Sequence, residues 1–462
     1  MFSTQAVKDL ERIVGPDAVL HAPEDLLAFE YDSTIARGLP DAVVFPANAR
    51  QVSQVVHLAR DLGLPIVPRG AGTGLSGGAV PVRGGIVIVL TRMNRILEID
   101  PLNRIAVVEP GVVNLDLDTE ARKHGLFFAP DPSSQRVCTI GGNVAENAGG
   151  PHCLAYGVTT NHVLGLEIVL ADGSIVEVGG RMRDVPGYDL TALVVGSEGT
   201  LCVVTKAIVR LLPLPETGYT LVAQFAEVDH ACSAVSAIIA AGIVPQCMEL
   251  SDREVLRAVQ EFLGIPGEPA AGATLIIEVE GLAERVAADG PAIEAILQQQ
   301  AAISVRAATE RAERDQIWNM RKIGVGALGR VASNYYVLDG VVPRSKLPEV
   351  LNGVYAIAQR HELRVVNVFH AGDGNLHPNF LFDASKPGET ERVLAAGAEI
   401  LQLCADAGGT ITGEHGVGLE KRDHMRLIFN DDDLAAMRKI QAAFGAVDMF
   451  NPGKVFPEKA AV

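Results

Sequence analysis

The chain has 462 residues, 48% of them apolar, with 39 Lys and Arg against 56 Asp and Glu and a formal charge of −17. That balance argues against nucleic acid as a partner, because phosphate binding needs clustered Lys and Arg; an acidic substrate would need a local island of positive charge. At roughly 150 residues per domain the length allows about two to four domains, with ample apolar material for their cores.

The opening "MFSTQAVKDLERIVG" lacks the basic-then-apolar pattern of a secretory signal, and no apolar run reaches the roughly 18 residues of a membrane span. Six cysteines, at 138, 153, 202, 232, 247 and 404, form no C-x-x-C pair. That argues against an iron–sulfur cluster held by this chain alone and, without a signal, against a disulfide framework. A soluble cytoplasmic protein is expected.

Residues 3–30 read as helical, with Val7, Leu10, Ile13 and Val14 on one side. "AVVFPANARQVSQVVHLARDLGLPIVPRG" predicts a strand, a helix striped by Val52, Val55, Val56 and Ala59 and closed by Gly63, and a second strand. "GGIVIVLTRM" and "RIAVVEPG" are short β runs, and a helix is expected near Leu115–His124. Residues 129–157 carry little periodicity of either kind. Strands return in "GLEIVLADGSIVEVG", with "ADG" as a hairpin turn, and in "TLCVVTKAIVRLLP". The two prolines of "LPLPETG" (212–218) mark a linker. Beyond it "TLVAQFAEV", "ACSAVSAIIAAG", "ATLIIEVEG" and "AAISVRAAT" mix strands with amphipathic helices, which predicts an α+β domain on an antiparallel sheet. The tail, 390–445, reads as largely helical.

"PRGAGTGLSGGAVP" contains Gly72-x-Gly74-x-x-Gly77, formally a dinucleotide fingerprint. That pattern carries meaning where it follows a strand and opens a helix. Here "GAVPVRGGIVIVL" follows, Gly and Pro and then another strand, so a Rossmann site is not expected. The remaining readings are a nest of backbone N–H groups that binds phosphate without a helix and an ordinary surface loop. The second glycine-rich stretch, "PDPSSQRVCTIGGNVAENAGGPHCLAYG" (130–157), favours the nest, since compact domains rarely carry so long a loop unless it wraps a ligand. With "GSEGTL" at 196–201 it points to a large, flat ligand with a diphosphate.

"VFHAGDGNLHPNF" (368–380) raises a metal question. With "AGDGN" as the turn between two strands, His370 and His377 come opposite or nearly opposite across a hairpin. A catalytic zinc site has three protein ligands and an open position; Glu414 of "TGEHGVG" (412–418) offers the third. The alternative is two histidines that only pack or hydrogen-bond within the hairpin. Zinc is first choice, with Mn²⁺ or Fe²⁺ compatible. His415 is the natural general base, because imidazole titrates near neutral pH. Arg321 of "IWNMRKIG" has the planar fork that matches a carboxylate, unless it is simply a salt-bridged surface arginine.

These blocks, together with the C-terminal "NPGKVF", resemble the flavin-linked 2-hydroxy acid dehydrogenases of the vanillyl-alcohol oxidase/PCMH group, in register over about residues 30–456. "GGPHCLAYG" and "DGVVPRSKLPEV" bring the chain nearest the FAD-binding D subunits of bacterial glycolate oxidases. The resemblance implies an α+β protein: an N-terminal helical segment (1–37), a PCMH-type FAD-binding domain (38–217), an α+β cap domain on an antiparallel sheet that carries the metal site (218–445), and a C-terminal segment returning to the FAD domain (446–462). It implies that the pyrophosphate lies on Arg69, Gly70, Ala71, Gly72, Thr73, Gly74, Leu75, Ser76 and Gly77, with further contacts from Pro130, Asp131, Ser134, Thr139, Gly141, Gly142, Asn143, Ala145, Asn147 and Gly150. Glu198, Asn451 and Lys454 would touch the flavin face and ribityl region. FAD is expected to be non-covalent, although His152 and Cys153 raise the question of attachment.

The implied reaction oxidises a small 2-hydroxy acid, glycolate before D-lactate; the alternatives are a free-standing D-lactate dehydrogenase and a non-catalytic flavin subunit of a complex, the latter opposed by the intact His370, His377, Glu414 and His415 set. A metal on His370, His377 and Glu414 would hold the hydroxyl and one carboxylate oxygen, His415 would take the hydroxyl proton, Arg321 would hold the carboxylate, and hydride would pass to the flavin. The implied electron acceptors are a second FAD-binding subunit and an iron–sulfur subunit, loosely membrane-associated. In the related hydroxyglutarate enzymes a threonine one turn after the arginine and a later lysine hold a second carboxylate. Here Val325 stands at the one-turn position and "SNYYVLDG" has no lysine, which favours a small monocarboxylate. Trp318, Tyr335 and Tyr336 are candidate pocket walls, and Lys322 is expected in solvent.

Overall fold

The computed structural model describes residues 3–183, 186–264, 267 and 269–458, with backbone alone at 320, 322–328 and 330. The chain divides into two units: Met1–Gly149, Gly157–Pro213 and Glu414–Val462 form the first, Gly150–Tyr156 and Leu214–Gly413 the second. The division expected at 217/218 and 445/446 is drawn differently: the chain rejoins the first unit at 414 rather than 446, and 150–156 belong to the second.

Two sheets build the first unit. The smaller orders Val19–Leu20, Ala42–Val44, Ile86–Val89 and Ile66–Arg69, the last three parallel. Parallel strands need a crossover, and the helix Ala49–Leu62 lies between Ala42–Val44 and Ile66–Arg69 in the chain. Asn48 caps this helix by accepting from Gln51 N, and Gly63 ends it at φ 64°, a conformation that suits glycine. Val52, Val55, Val56 and Ala59 are fully buried, as their spacing predicts.

The larger sheet is antiparallel throughout, in the order Ile96–Asp100, Ile105–Val108, Val203–Arg210, Val163–Val169, Ile175–Gly179, with the expected hairpin joining the last two. The helices Asn114–Arg122 and Ile140–Glu146 bury Leu117, Ala121, Ile140 and Val144 in its core. Ile140–Glu146 corrects the reading of 129–157 as aperiodic. Gly141 and Gly142 lower its helix propensity, and its ends are fixed by Thr139, which accepts from Gly142 N, and by Asn147 in the left-handed conformation. Residues 3–30 are also less helical than expected: after Thr4–Val14 come short 3-10 turns, the strand Val19–Leu20 and the one-turn helix Pro23–Leu26. Near the C-terminus Phe450 pairs in parallel with Ile66 through two 2.7 Å backbone bonds, Ile66 N to Met449 O and Asn451 N to Ile66 O.

One antiparallel sheet organises the second unit. Its order is Ala302–Ala308, Thr217–Phe225, Ala273–Gly281, Cys247–Asp252, Arg364–His370, Asn375–Leu376, Gly340–Val341. Pro378–Phe382 also pairs with Arg364–His370, and Asn334–Val337 pairs with its other side. The helices Val228–Ala240, Ala283–Gln299, Leu347–Arg360 and Glu389–Asp406 pack against these strands with faces that bury Val235, Ile293, Val354 and Ile400. The architecture is α+β. Among the described residues no helix is long and apolar enough to cross a membrane.

Candidate functional site

In the first unit the strand Ile66–Arg69 runs directly into the glycine loop, and turns follow it rather than a helix. Gly72 and Gly77 adopt φ 74° and 81°. A Cβ on Gly70 would stand 2.4 Å from Thr139 Oγ1, and one on Gly78 2.5 Å from Glu146 Oε1. The backbone of the first glycine-rich stretch therefore packs directly on side chains of the second, and its glycine turns leave N–H groups of the kind that bind phosphate.

The remaining residues expected to bind the cofactor mostly hold this frame. Arg69 donates to Tyr31 O at 2.8 Å and lies over the Phe29 ring at 5.6 Å. Gly74 O accepts from Ser33 N, and Ser76 O accepts from Leu419 N at 2.7 Å. Ala71, Thr73 and Leu75 are half-buried between them, as is Asp131 in the second stretch. The Asn114 amide donates to Pro130 O at 2.9 Å and to Asn143 Oδ1 at 3.0 Å. Ser134 O accepts from Val137 and Cys138, and Ala145 O accepts from Glu198 N. Asn147 Oδ1 accepts from Thr160 N at 2.8 Å. Gly150 belongs to the second unit.

Glu198, itself at φ 52°, accepts from Val417 N at 2.7 Å and Gly418 N at 2.6 Å. Its carboxylate thus fixes the loop that carries His415, two residues upstream and half-buried. Asn451 donates to Gly78 O at 2.9 Å and to Glu198 O at 2.7 Å, while Lys454 Nζ donates to Gly78 O at 2.6 Å. The C-terminal "NPGK" accordingly clamps the glycine loop to "GSEG". Burial pushes Glu198 up, against the two N–H groups that pull it down. Burial and then the Glu198 charge hold Glu146 well above the carboxylate range, although Ser76 donates to it at 3.2 Å. Burial also draws Lys454 down to about 7, against the attraction of Asp32, Glu146 and Glu198.

In the second unit the hairpin differs in register from the expectation. His370 pairs with Asn375, and Asn367 with Pro378, so His377 falls between the two short pairings rather than opposite His370. The rings still meet, with centroids 5.1 Å apart and planes at 88°. Both histidines are buried. His370 Nδ1 lies 2.6 Å from Glu249 Oε1, and His377 Nδ1 lies 3.3 Å from Leu338 O. With Nδ1–H turned to these acceptors, the lone pair of each ring lies on Nε2, a tautomer in which a histidine can serve as a metal ligand. The donor set therefore fits a divalent metal. Asp339, fully buried, accepts from Asn375 Nδ2 at 2.7 Å, Thr412 Oγ1 at 2.6 Å and Gly413 N at 3.0 Å. It ties the hairpin to the chain up to Gly413, which Glu414 follows directly.

Arg321 is no surface arginine. Its side chain is 8% exposed and donates Nε at 3.1 Å and Nη2 at 2.8 Å to Glu249 Oε2. Burial would raise the Glu249 carboxyl, but the Arg321 charge and the hydrogen bonds of His370 and Arg321 hold it below its ordinary value. Sequence reading passed over Glu249 and Asp339; the available signal was an acid inside a strand, between Met248 and Leu250 of "QCMELSD", and one closing another, "YYVLDG". Trp318 is committed elsewhere, donating to Glu278 Oε2 at 2.5 Å. The His152 ring lies 5.6 Å from Trp318, with Nε2 3.7 Å from Glu278. Tyr335 is 49% exposed. The side chains of Lys322 and Val325 lie outside the described residues.

A family profile described as a FAD binding domain matches residues 40–179, and one described as the C-terminal domain of FAD linked oxidases matches 214–455. Glycolate oxidase subunit GlcD of Escherichia coli (strain K12) is 44% identical over 95% of this chain and 88% of its own length. A D-lactate dehydrogenase of Archaeoglobus fulgidus is 35% identical over 97% of this chain and 98% of its own length. The crystal structure of p-cresol methylhydroxylase with substrate bound superposes with a TM-score of 0.80 at 17% identity, covering 99% of this chain and 98% of that one, which shows the PCMH-type fold. The chain therefore belongs to the FAD-linked oxidases, the family of flavoenzymes that includes glycolate oxidase subunit GlcD.

Proposed function

We propose that this flavoenzyme oxidises a small 2-hydroxy acid, glycolate first, to the 2-oxo acid. One observation carries the reading furthest: two buried imidazoles, His370 and His377, each with Nδ1 turned to a protein acceptor. With Glu414 as the third ligand, a His₂Glu set keeps one coordination position for a substrate oxygen, zinc being first choice. When bound, the metal would supply a Lewis acid for the hydroxyl oxygen and FAD a two-electron acceptor.

The chain's own groups do the remaining work. Arg321 spends its Nε–Nη2 edge on Glu249, and the other N–H donors of its fork take the substrate carboxylate. His415 accepts the hydroxyl proton at its imidazole. Val325 and the lysine-free "SNYYVLDG" favour a monocarboxylate. FAD is held without a covalent bond, a reading supported by the engagement of His152 with Trp318 and Glu278. With no C-x-x-C pair in the chain, electrons pass to partners, a second FAD-binding subunit and an iron–sulfur subunit at the membrane's inner face. A second reading, D-lactate as the main substrate, is favoured by the similarity to a D-lactate dehydrogenase.

Anaerobic reduction of the metal-replete flavoprotein, followed in the visible flavin band, tests the proposal. Fast bleaching by glycolate, slower by D-lactate and none by D-2-hydroxyglutarate is expected. Faster bleaching by D-lactate would move the assignment to the second reading, and bleaching by no acid would sink both.

A further inference from the structure

Glu249 occupies a position that the proposed reaction does not use. It lies in the middle of the central strand Cys247–Asp252, fully enclosed, opposite His370 in the antiparallel register. One carboxylate oxygen meets His370 Nδ1 at 2.6 Å, and the other accepts both Nε and Nη2 of Arg321. A buried carboxylate is costly unless every lone pair is used; this one is divided between an imidazole and a guanidinium that belong to two different functions.

We infer that Glu249 is a positioning residue that couples the metal ligand His370 to the substrate-binding Arg321. By accepting from Nδ1–H it fixes the tautomer and the rotation of the His370 ring, aiming Nε2 at the metal position. The same carboxylate holds the guanidinium by its side edge and so sets the direction of the remaining N–H donors. Metal and carboxylate recognition thereby share one support, and a change at either end is felt at the other. Partners of this kind typically tune metal affinity by roughly 10- to 100-fold. The inference rests on the metal reading given under the proposed function.

The test uses the full FAD-loaded chain labelled with [¹⁵N]histidine, with His370→Asn identifying the His370 resonances. Before metal is added, wild type should show His370 as the Nδ1–H tautomer, and Glu249→Gln a mixture of the two neutral forms. Zinc titration against a competing chelator should then show affinity weakened roughly 10- to 100-fold in Glu249→Gln. Arg321→Lys keeps the buried charge and guards against a folding failure in the first variant. It touches no metal ligand, yet its zinc affinity should fall severalfold, with KM for glycolate raised more than kcat is lowered. An unchanged His370 tautomer in Glu249→Gln, or zinc affinity in Arg321→Lys equal to wild type, overturns the coupling. Wild type that binds no zinc but shows the tautomer change would remove the metal reading and leave the support of His370 by Glu249 standing.

Discussion

Two buried carboxylates of the second unit, Glu249 and Glu278, and two of the first, Glu146 and Glu198, are accommodated in opposite ways. Glu249 and Glu278 are matched to arginines: Glu278 accepts from Arg314, Trp318 and Thr220, and against the upward push of burial His152 and then Arg314 hold its carboxyl at about 2. In the first, Glu146 and Glu198 are held by a serine hydroxyl and backbone N–H groups, and both are raised. The first unit's pair rests on hydroxyl and backbone donors, the second unit's on guanidinium and imidazole groups. The two should therefore fail differently.

The largest expected effect is in the second unit. Glu278→Ala takes the nearer of two carboxylates from the Arg314 guanidinium, whose side chain is 18% exposed and which keeps Glu280 at 3.8 Å, and should cost about 3 kcal/mol, the low end of the scale for breaking one partner of a buried pair. Urea unfolding followed by far-UV signal measures it; a loss under about 1 kcal/mol would show the pairing to be dispensable.

Next comes pH. A carboxyl lowered from 4.5 to about 2 in the folded state contributes stability that is complete above its unfolded value and is lost as pH falls from about 4.5 toward 2. At about 1.4 kcal/mol per unit this reaches about 3 kcal/mol. Urea midpoints between those pH values should slope steeply in wild type and less in Glu278→Gln. Parallel slopes would break the comparison.

The first unit should give the smaller and more local response. Gly70→Ala forces a Cβ against Thr139 Oγ1 and should cost about 1–3 kcal/mol as overpacking, most of it read as weaker retention of FAD on dilution. Adding Thr139→Ala removes the clash at the expense of a helix cap worth about 1 kcal/mol, so the double variant should recover flavin relative to Gly70→Ala alone. If it does not, the glycine is needed for its own backbone rather than for the close approach.

Much of this was legible beforehand. The helix Ala49–Leu62 declares itself by its stripe, its Asn cap and its closing glycine, and the hairpin of Val163–Val169 with Ile175–Gly179 by "ADG". His370 and His377 could be paired because their partners lie within one hairpin. Glu249 could not, since its contacts come from residues 72 and 121 positions away and no spacing within its own strand points to them. The helix Ile140–Glu146 was hidden by its two glycines, and its stability comes from the sheet it covers.

The pairing of Phe450 with Ile66 also orders events during synthesis. Leu214–Gly413 is one continuous run, so the second unit has all its strands once that run has left the ribosome. The first unit, by contrast, draws its strand Ile66–Arg69 and the partners Asn451 and Lys454 from segments almost 400 residues apart, so its glycine loop is clamped only after residues near 450 have been made.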